Sequence, residues 1–316
     1  MQNISMVLND CASNDRWVKP RHVALAVLIT AIWGVNFVVI RVGLDEMSPL
    51  LFCALRFAAA ALPALFFVGR PQAPVRWIVA TGLALGVAKF SLLFAGIAAG
   101  LPAGLSALIL QSQAVFTVVF AAVLLKDRPG PRRVAGLALS GAGIALIASR
   151  LGLDRPVGAF ALVVAAGAAW GLANLAIRKA GQTDMLNFMV WVSAVATPPL
   201  VVLTLLVDGP AYVGRTLRGL DLTALGAIGF IAWISTLVGF GLWGRLISLY
   251  GASTVAPFAA LAPVFAIVST ALLLDERVTA FDAVGGVAVL GGVLLGSVMP
   301  ARAPVAEPRT AAGTAG

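Results

Sequence analysis

Charged residues are scarce in this sequence. Only 11% of its 316 residues are Asp, Glu, Lys or Arg, while 60% are hydrophobic and the mean hydropathy is +1.00. A water-soluble domain needs far less apolar sequence to build its core, so the composition excludes one as the main body of the chain. A bilayer-spanning helix takes roughly 20 apolar residues, and stretches of about that length follow one another along nearly the whole sequence.

These stretches predict an all-α integral membrane protein with ten transmembrane helices, because an open strand would leave backbone groups unpaired in lipid. The expected spans are 22–43, 49–69, 76–99, 102–125, 132–150, 157–178, 186–207, 222–247, 252–274 and 280–299. The N-terminal tail, 1–21, lacks the apolar core of a cleaved signal peptide. The C-terminal tail, 300–316, has too few apolar residues to fold, and we expect it to be disordered.

Histidine, cysteine and interior acids are also nearly missing. Cys11 and Cys53 lie in a polar tail and an apolar helix, so no disulfide framework is expected. The single histidine, His22, lies at an interface, and all 13 acids fall in tails or at helix ends. No carboxylate pair, histidine relay or metal site can be assembled inside the spans. We therefore expect no enzyme, no metal and no cofactor.

The net charge of +9 does not indicate a nucleic-acid partner, because the basic residues form no stripe with interleaved aromatics. They lie at the ends of apolar segments, with fourteen on the side of the termini and six on the other. This bias predicts that both termini are cytoplasmic. The simplest home for such a multi-pass chain is a bacterial plasma (inner) membrane. The sequence leaves the oligomeric state open and is compatible with a monomer.

The sequence also repeats itself. At a shift of 149 residues, one set recurs: Val115, Phe116, Gly136 and Gly143 match Val264, Phe265, Gly285 and Gly292. At a shift of 137, a second set recurs: Trp33, Gly34, Ile40 and Arg41 match Trp170, Gly171, Ile177 and Arg178. The 12 extra residues of the second half fit the longer connection from Asp208 to Asp221. The alternative is chance similarity in sequence rich in Ala, Gly and Leu.

Two halves of five helices, 22–150 and 157–299, would have opposite orientations in the membrane because five is an odd number. Inverted repeats are typical of alternating-access transporters, whose substrate site lies near the midplane between the halves. The repeat therefore predicts a transporter with a small-molecule substrate, without naming that substrate.

Lys89 is the most informative polar residue, since it lies near the middle of the third span. A charge at that depth costs about 2.5–3.5 kcal/mol on insertion scales, so we expect it to face a cavity or a partner. One interpretation is that it meets a substrate carboxylate or changes protonation during transport. The other is that backbone carbonyls hold it, or that it lines a wet vestibule without selecting anything.

Other polar and aromatic residues have two interpretations each. Asn36 and Asn174 either hydrogen-bond the substrate or bridge helices, and bridging is slightly favoured. Gln111 is preferred over Gln113 as a cavity residue, because small residues precede it. Arg56 is expected nearer the membrane surface, in contact with headgroups or helix-end carbonyls. Trp243 either closes the cavity or lies in the interfacial aromatic belt.

Several stretches resemble the EamA family of the drug/metabolite transporter superfamily. They are Trp33-Gly34-Val35-Asn36-Phe37, Arg56-Phe57, Pro102-Ala103-Gly104 with the later Gln111, and Leu274-Asp275-Glu276-Arg277. The resemblance implies ten helices with inverted repeats around a central cavity, and efflux of a small metabolite. Bacterial exporters of cysteine and O-acetylserine are the most similar members, so the implied cargo is an amino acid or derivative. The alternative is another cargo, such as a drug.

The polar residues inside the spans and the family resemblance together give seven residues that are expected to line the cavity. They are Trp33, Asn36, Lys89, Gln111, Trp170, Asn174 and Trp243. Two features depart from the family pattern. Lys126-Asp127 stands where a Gly-Glu pair is more usual, and Lys89 stands where a neutral residue is expected, which bears on the identity of the cargo.

Overall fold

A computed structural model describes residues 18–150, 156–181 and 184–297 of the chain. All regular secondary structure within these ranges is helical, which confirms the predicted helical class. The predicted tails lie outside the described residues, apart from residues 18–21.

Ten helices of 17 residues or more make up most of the described chain. They are α1 (Pro20–Glu46), α2 (Pro49–Leu65), α3 (Val75–Ala98), α4 (Ala103–Leu125), α5 (Pro131–Ala148), α6 (Val157–Ala180), α7 (Met185–Val207), α8 (Leu222–Tyr250), α9 (Ala256–Leu273) and α10 (Ala280–Ser297). Eight of them are long and apolar enough to cross a membrane. The two others are α2, with 17 residues, and α5, whose first turn carries Arg132 and Arg133.

Side chains that cap the first turn explain where three helices begin. The Ser48 hydroxyl oxygen accepts a hydrogen bond from the Leu51 N–H, and Pro49 occupies the first helical position of α2. Asp184 and Asp221 accept backbone N–H groups in the same way at the starts of α7 and α8. These bonds satisfy N–H groups that the first turn of a helix otherwise leaves unpaired.

The connection between α7 and α8 is long, as the repeat arithmetic predicts. It contains a short helix, Pro210–Arg218, in which no residue is buried. The connection contacts the loop between α1 and α2, because the Ser48 N–H donates to the Tyr212 hydroxyl at 2.9 Å. The Ser48 hydroxyl also donates to Asp208 at 2.5 Å. The extra residues of the second half therefore lie outside the long helices, next to the loop between α1 and α2.

Helix irregularities recur at the interval of the sequence repeat. A π-helical segment runs over Gly82–Lys89 in α3, and another over Phe230–Val238 in α8. Helix α4 is interrupted just before Ser112, and α9 changes from a 3₁₀ turn to an α-helix at Leu261, which is 149 residues later. The repeat detected in the sequence is thus accompanied by matching local backbone structure.

Lys126 and Asp275, which also lie 149 residues apart, share an uncommon backbone conformation. Their φ angles are 57° and 51°, and no other non-glycine residue in the described ranges has a positive φ. Lys126 ends α4, and Asp275 follows the end of α9. This left-handed conformation costs an L-residue roughly 1–2 kcal/mol, which is why glycine is common where helices end this way.

The acids after these two residues make different contacts. Glu276 accepts hydrogen bonds from the N–H groups of Ala103 and Gly104 at 2.6 and 2.9 Å, and so caps the start of α4 with a negative charge. Asp127 accepts a hydrogen bond from the Arg178 guanidinium at 2.5 Å. That bond holds the pKa of the Asp127 carboxyl below its ordinary value. Equivalent acids therefore have different partners.

Helices α5 and α10 meet backbone to backbone at two pairs of glycines. A Cβ added at Gly136 would lie 2.5 Å from the carbonyl oxygen of Gly292, and one added at Gly143 would lie 2.6 Å from that of Gly285. The start of α5 thus contacts the end of α10, so the two helices run antiparallel. Small residues permit this close approach where lipid supplies no hydrophobic force between helices.

The first helix of each half packs against the fourth helix of the other half. A Cβ added at Gly34 in α1 would lie 2.3 Å from the Cβ of Phe265 in α9. A Cβ added at Gly171 in α6 would lie 2.9 Å from the Cβ of Phe116 in α4. The repeat predicts that the two glycines are equivalent and that the two phenylalanines are equivalent. The two contacts are therefore equivalent as well.

Apolar side chains fill the interior and also cover much of the outside. Phe52 and Phe94 are fully buried between α2 and α3, with ring centroids 5.2 Å apart. Phe67 and Leu222 are 86% and 87% exposed. Large exposed apolar side chains are unfavourable in water and are typical of surfaces that contact lipid.

The α5–α10 contact predicts that an added methyl group destabilises the protein at Gly143 and not at Gly141. We expect Gly143→Ala to lower stability by about 1–3 kcal/mol, because the new Cβ forces the backbones apart. Gly141→Ala is the matched control, since nothing lies within 4 Å of its added Cβ. Thermal unfolding of the detergent-purified protein measures both variants. Equal melting temperatures would show that the backbones do not meet at Gly143.

The left-handed conformation of Lys126 gives a second prediction. We expect Lys126→Gly to stabilise the protein by about 1 kcal/mol, because glycine reaches this φ without a Cβ clash. Lys126→Ala is the control, since alanine removes the charge and keeps the Cβ. Guanidinium or thermal unfolding in detergent compares the three proteins. A gain in stability for the alanine variant as large as that for the glycine variant would contradict the assigned conformation.

Candidate functional site

Lys89 lies at the end of the π-helical segment of α3 and is 5% exposed. Its Nζ lies 3.3 Å from the ring centroid of Phe90 and 4.7 Å from that of Trp170 on α6. No acceptor in the described part of the chain takes a hydrogen bond from this ammonium group. π-helical turns change the direction of the side chains that follow them and are frequent at functional sites. The structure thus brings together two of the predicted residues, Lys89 and Trp170.

Arg56 is buried within the protein, whereas the sequence predicts contact with headgroups or helix-end carbonyls. Helix α2 begins at Pro49 and ends at Leu65, four residues earlier than expected, so Arg56 is the eighth of its 17 residues. It is 3% exposed, so its side chain is enclosed by the protein. The prediction of a surface contact is therefore wrong, because the side chain points into the protein and donates to Thr236 on α8.

Aromatic rings surround the Arg56 guanidinium. Its Cζ lies 3.9 Å from the ring centroid of Phe90 and 4.6 Å from that of Phe57. The guanidinium Nη2 donates to the Thr236 hydroxyl at 3.0 Å, whereas Nε and Nη1 have no hydrogen-bond partner. Arg56 and Lys89 therefore share one ring, that of Phe90.

Acidic side chains are absent from the interior of the described helices. Those that the structure describes lie in first or last helical turns or in connections, at Asp45, Glu46, Asp127, Asp184, Asp208, Asp221, Asp275, Glu276 and Asp282. Ion pairs between Arg41 and Asp45 and between Arg178 and Asp127 lie at helix ends. The cations around Phe90 are consequently not balanced by a carboxylate of the described chain.

Trp33 and Trp243 form a second cluster between α1 and α8. Their ring centroids lie 5.0 Å apart, and Phe240 lies 5.2 Å from Trp33. The Trp33 indole N–H donates to the carbonyl oxygen of Ser235 at 3.1 Å. Ser235 directly precedes Thr236, the partner of Arg56. The π-helical segment of α8 thus contacts both clusters through consecutive residues.

The two predicted asparagines differ in their surroundings. The Asn174 amide donates to the side-chain oxygens of Gln113 and Thr117 at 2.7 and 3.0 Å, and so bridges α6 to α4. Asn36 is 8% exposed, and its Oδ1 accepts no hydrogen bond. Gln111 lies at the interruption of α4 and is 9% exposed. Gln113, and not the predicted Gln111, is therefore the glutamine that contacts Asn174.

A groove of about 890 Å³ opens at another place, between the end of α2, the start of α7 and α8. Its lining includes Phe67, Met185, Trp233 and Arg245. None of the seven predicted cavity residues lines this groove. Phe67 and Trp233 are largely exposed, which is the character of a surface that contacts lipid.

Comparison with known proteins identifies the family. The model of the EamA-like transporter family matches residues 21–149 and 158–298. A probable amino-acid metabolite efflux pump of Escherichia coli K12 is 36% identical over 277 residues, which cover 86% of this chain and 93% of that protein. The protein of the same description from Salmonella typhimurium LT2 is 35% identical, with the same coverage.

More distant relatives agree in fold and length. A probable terminal-alkyne amino-acid exporter of Streptantibioticus cattleyicolor is 27% identical, over 85% of this chain and 91% of that protein. One solved crystal structure superposes with a TM-score of 0.53 at 16% identity, and covers 86% of this chain and 96% of its own. At that identity the crystal structure shows the fold alone.

The contrast between the two asparagines is testable. We expect Asn174→Ala to lower stability by about 0.6–1.7 kcal/mol, because the bridge between α6 and α4 is lost. Asn36→Ala is the matched control, and we expect a smaller loss, because no hydrogen bond to its side chain is broken. Melting temperatures in detergent measure both. An equal loss for Asn36→Ala would show that Asn36 bonds a partner.

Proposed function

The chain belongs to the EamA-like transporter family, and we propose that it is a secondary transporter that exports an amino acid or a derivative such as cysteine or O-acetylserine. The amino-acid class of cargo is supported by the relatives named as amino-acid metabolite efflux pumps and as an amino-acid exporter. Membership of a transporter family, together with eight helices fit to cross a membrane, supports a transport function and not an enzymatic one.

Ten spans arranged as inverted repeats are part of the proposal. Helix α2, with 17 residues, is about 26 Å long, which nearly equals the thickness of a bilayer core. The proposed repeats are 22–150 and 157–299. Repeat-equivalent helices α5 and α10 run antiparallel through equivalent glycine contacts. A two-fold axis perpendicular to the helices relates such a pair, and this arrangement supports an axis in the membrane plane.

The main support for an alternating-access mechanism is the pair of equivalent contacts between the two halves. Helix α1 packs on α9, and α6 packs on α4, through equivalent glycines and phenylalanines. The repeat therefore relates the contact between α1 and α9 to the contact between α6 and α4. Rocking about such a symmetric interface exposes a central site first to one side and then to the other, which is the alternating-access mechanism.

The central site lies, in this proposal, among the residues of the two clusters already described. Lys89 and Trp170 form one side, and Trp33 and Trp243 form the other, joined by the π-helical segment of α8. Asn36, Gln111 and Asn174 are the polar candidates nearby. Both termini are cytoplasmic in the inner membrane of a bacterium, which the basic-residue bias supports.

A second candidate function is transport of a different cargo by the same fold. The two buried cations Arg56 and Lys89 oppose lipophilic cations, because like charges repel strongly at low dielectric. A drug of that kind is therefore disfavoured, while anionic and zwitterionic metabolites remain in competition with cysteine and O-acetylserine.

Transport by inverted membrane vesicles tests the proposal. We expect labelled cysteine or O-acetylserine to accumulate in vesicles that contain the protein, and to do so faster with an imposed proton gradient if export is proton-coupled. Vesicles without the protein are the control. Folded protein that accumulates neither compound under either condition would exclude this cargo and leave the family's transport function to another metabolite.

A further inference from the structure

We propose that Arg56 and Lys89 together bind the carboxylate group of the transported molecule, with that group placed against the ring of Phe90. The inference rests on the proposed function, since it assigns the charged group that the cargo of the transporter carries. It adds the buried Arg56 to the binding site, and it makes the carboxylate the chemical group that the site recognises.

The spacing of the two cations suits one carboxylate. Arg56 Cζ lies 3.9 Å from the ring centroid of Phe90, and Lys89 Nζ lies 3.3 Å from the same point. The two groups are therefore separated by no more than these distances together, 7.2 Å. A carboxylate has two oxygens, and each accepts a charge-assisted hydrogen bond of about 2.7–2.9 Å, so one such group at the edge of the Phe90 ring has the reach to contact both cations.

Two of the three guanidinium nitrogens of Arg56 have no hydrogen-bond acceptor and are available to a ligand. Thr236 fixes one guanidinium nitrogen, Nη2, while the buried Nε and Nη1 donate to nothing. Lys89 likewise has ring faces as its contacts and no acceptor among the described residues. Buried N–H groups are nearly always paired in folded proteins, so the unpaired Nε and Nη1 of Arg56, close to the Lys89 ammonium, point to an anionic ligand.

The chain itself does not supply that anion in the part described. Every acid there lies in a terminal turn or a connection. Two uncompensated positive charges in a low-dielectric interior are strongly unfavourable, and charges inside membrane proteins usually pair or mark a substrate path. A substrate carboxylate neutralises one charge and receives hydrogen bonds from both groups.

Aromatic rings surround the two cations. Phe57, Phe90 and Trp170 lie within 4.7 Å of at least one of the two cations. These rings stabilise the cations while no ligand is bound, at the cost of some of their attraction for an anion. They also exclude water, which strengthens each hydrogen bond to a bound carboxylate.

The test compares acids with their own methyl esters on the purified full chain. The probes are cysteine, O-acetylserine, N-acetylcysteine and butyrate, and apparent Kd values come from ligand-induced shifts of the melting temperature. We expect at least one acid to bind at least 10-fold more tightly than its ester. Arg56→Gln and Lys89→Gln should each weaken binding of the acid by about 10- to 100-fold and bring the acid-to-ester ratio towards one.

Two controls separate binding from folding. Lys179→Gln removes an exposed cation at the end of α6 and should leave the ratio unchanged. Each ligand-induced shift is measured from the unliganded melting temperature of the same variant, because Arg56→Gln and Lys89→Gln also lose ring contacts that stabilise the folded protein. Arg56→Lys, which keeps the charge, should recover part of the affinity for the acid.

The outcomes distinguish this inference from the proposed function. Equal binding of every acid and its ester, or variants that keep the wild-type ratio, would overturn the carboxylate site even if vesicles accumulate cysteine. Acid-selective binding that depends on Arg56 and Lys89, without accumulation of cysteine or O-acetylserine, would support the site and reject the amino-acid cargo. Acid-selective binding together with accumulation supports both.

Discussion

The two halves of the chain are held together where glycines let helix backbones touch. Apolar side chains gain little by leaving lipid for one another, so helix association depends on close packing and on hydrogen bonds between helices. Gly136, Gly143, Gly285 and Gly292 bring α5 and α10 into backbone contact, and Gly34 and Gly171 do the same between first and fourth helices.

The repeat keeps backbone geometry more strictly than it keeps side chains. π-helical segments, helix interruptions and left-handed residues recur at equivalent places, although Lys126 and Asp275 have no chemistry in common. The acids that follow differ in use, since Glu276 caps α4 while Asp127 pairs with Arg178.

Two cations without an acid define the chemistry of the interior. Arg56 and Lys89 come from different helices and meet over the ring of Phe90, where aromatic faces replace the missing carboxylate. Rings stabilise a cation less than an anion does. We therefore propose that the site formed by Arg56 on α2 and Lys89 on α3 binds an anionic group of the cargo.

The sequence alone determined the helical class, the interval of the repeat and the lack of interior acids, because composition and residue spacing are local properties that survive folding. It also singled out Lys89, since a charge in an apolar run is visible without a structure. Only the tertiary structure decided that Arg56 shares a ring with Lys89 and that Gln113, not Gln111, meets Asn174. Those facts depend on where a helix ends and which way its side chains turn, and both are set by the neighbouring helices against which it packs.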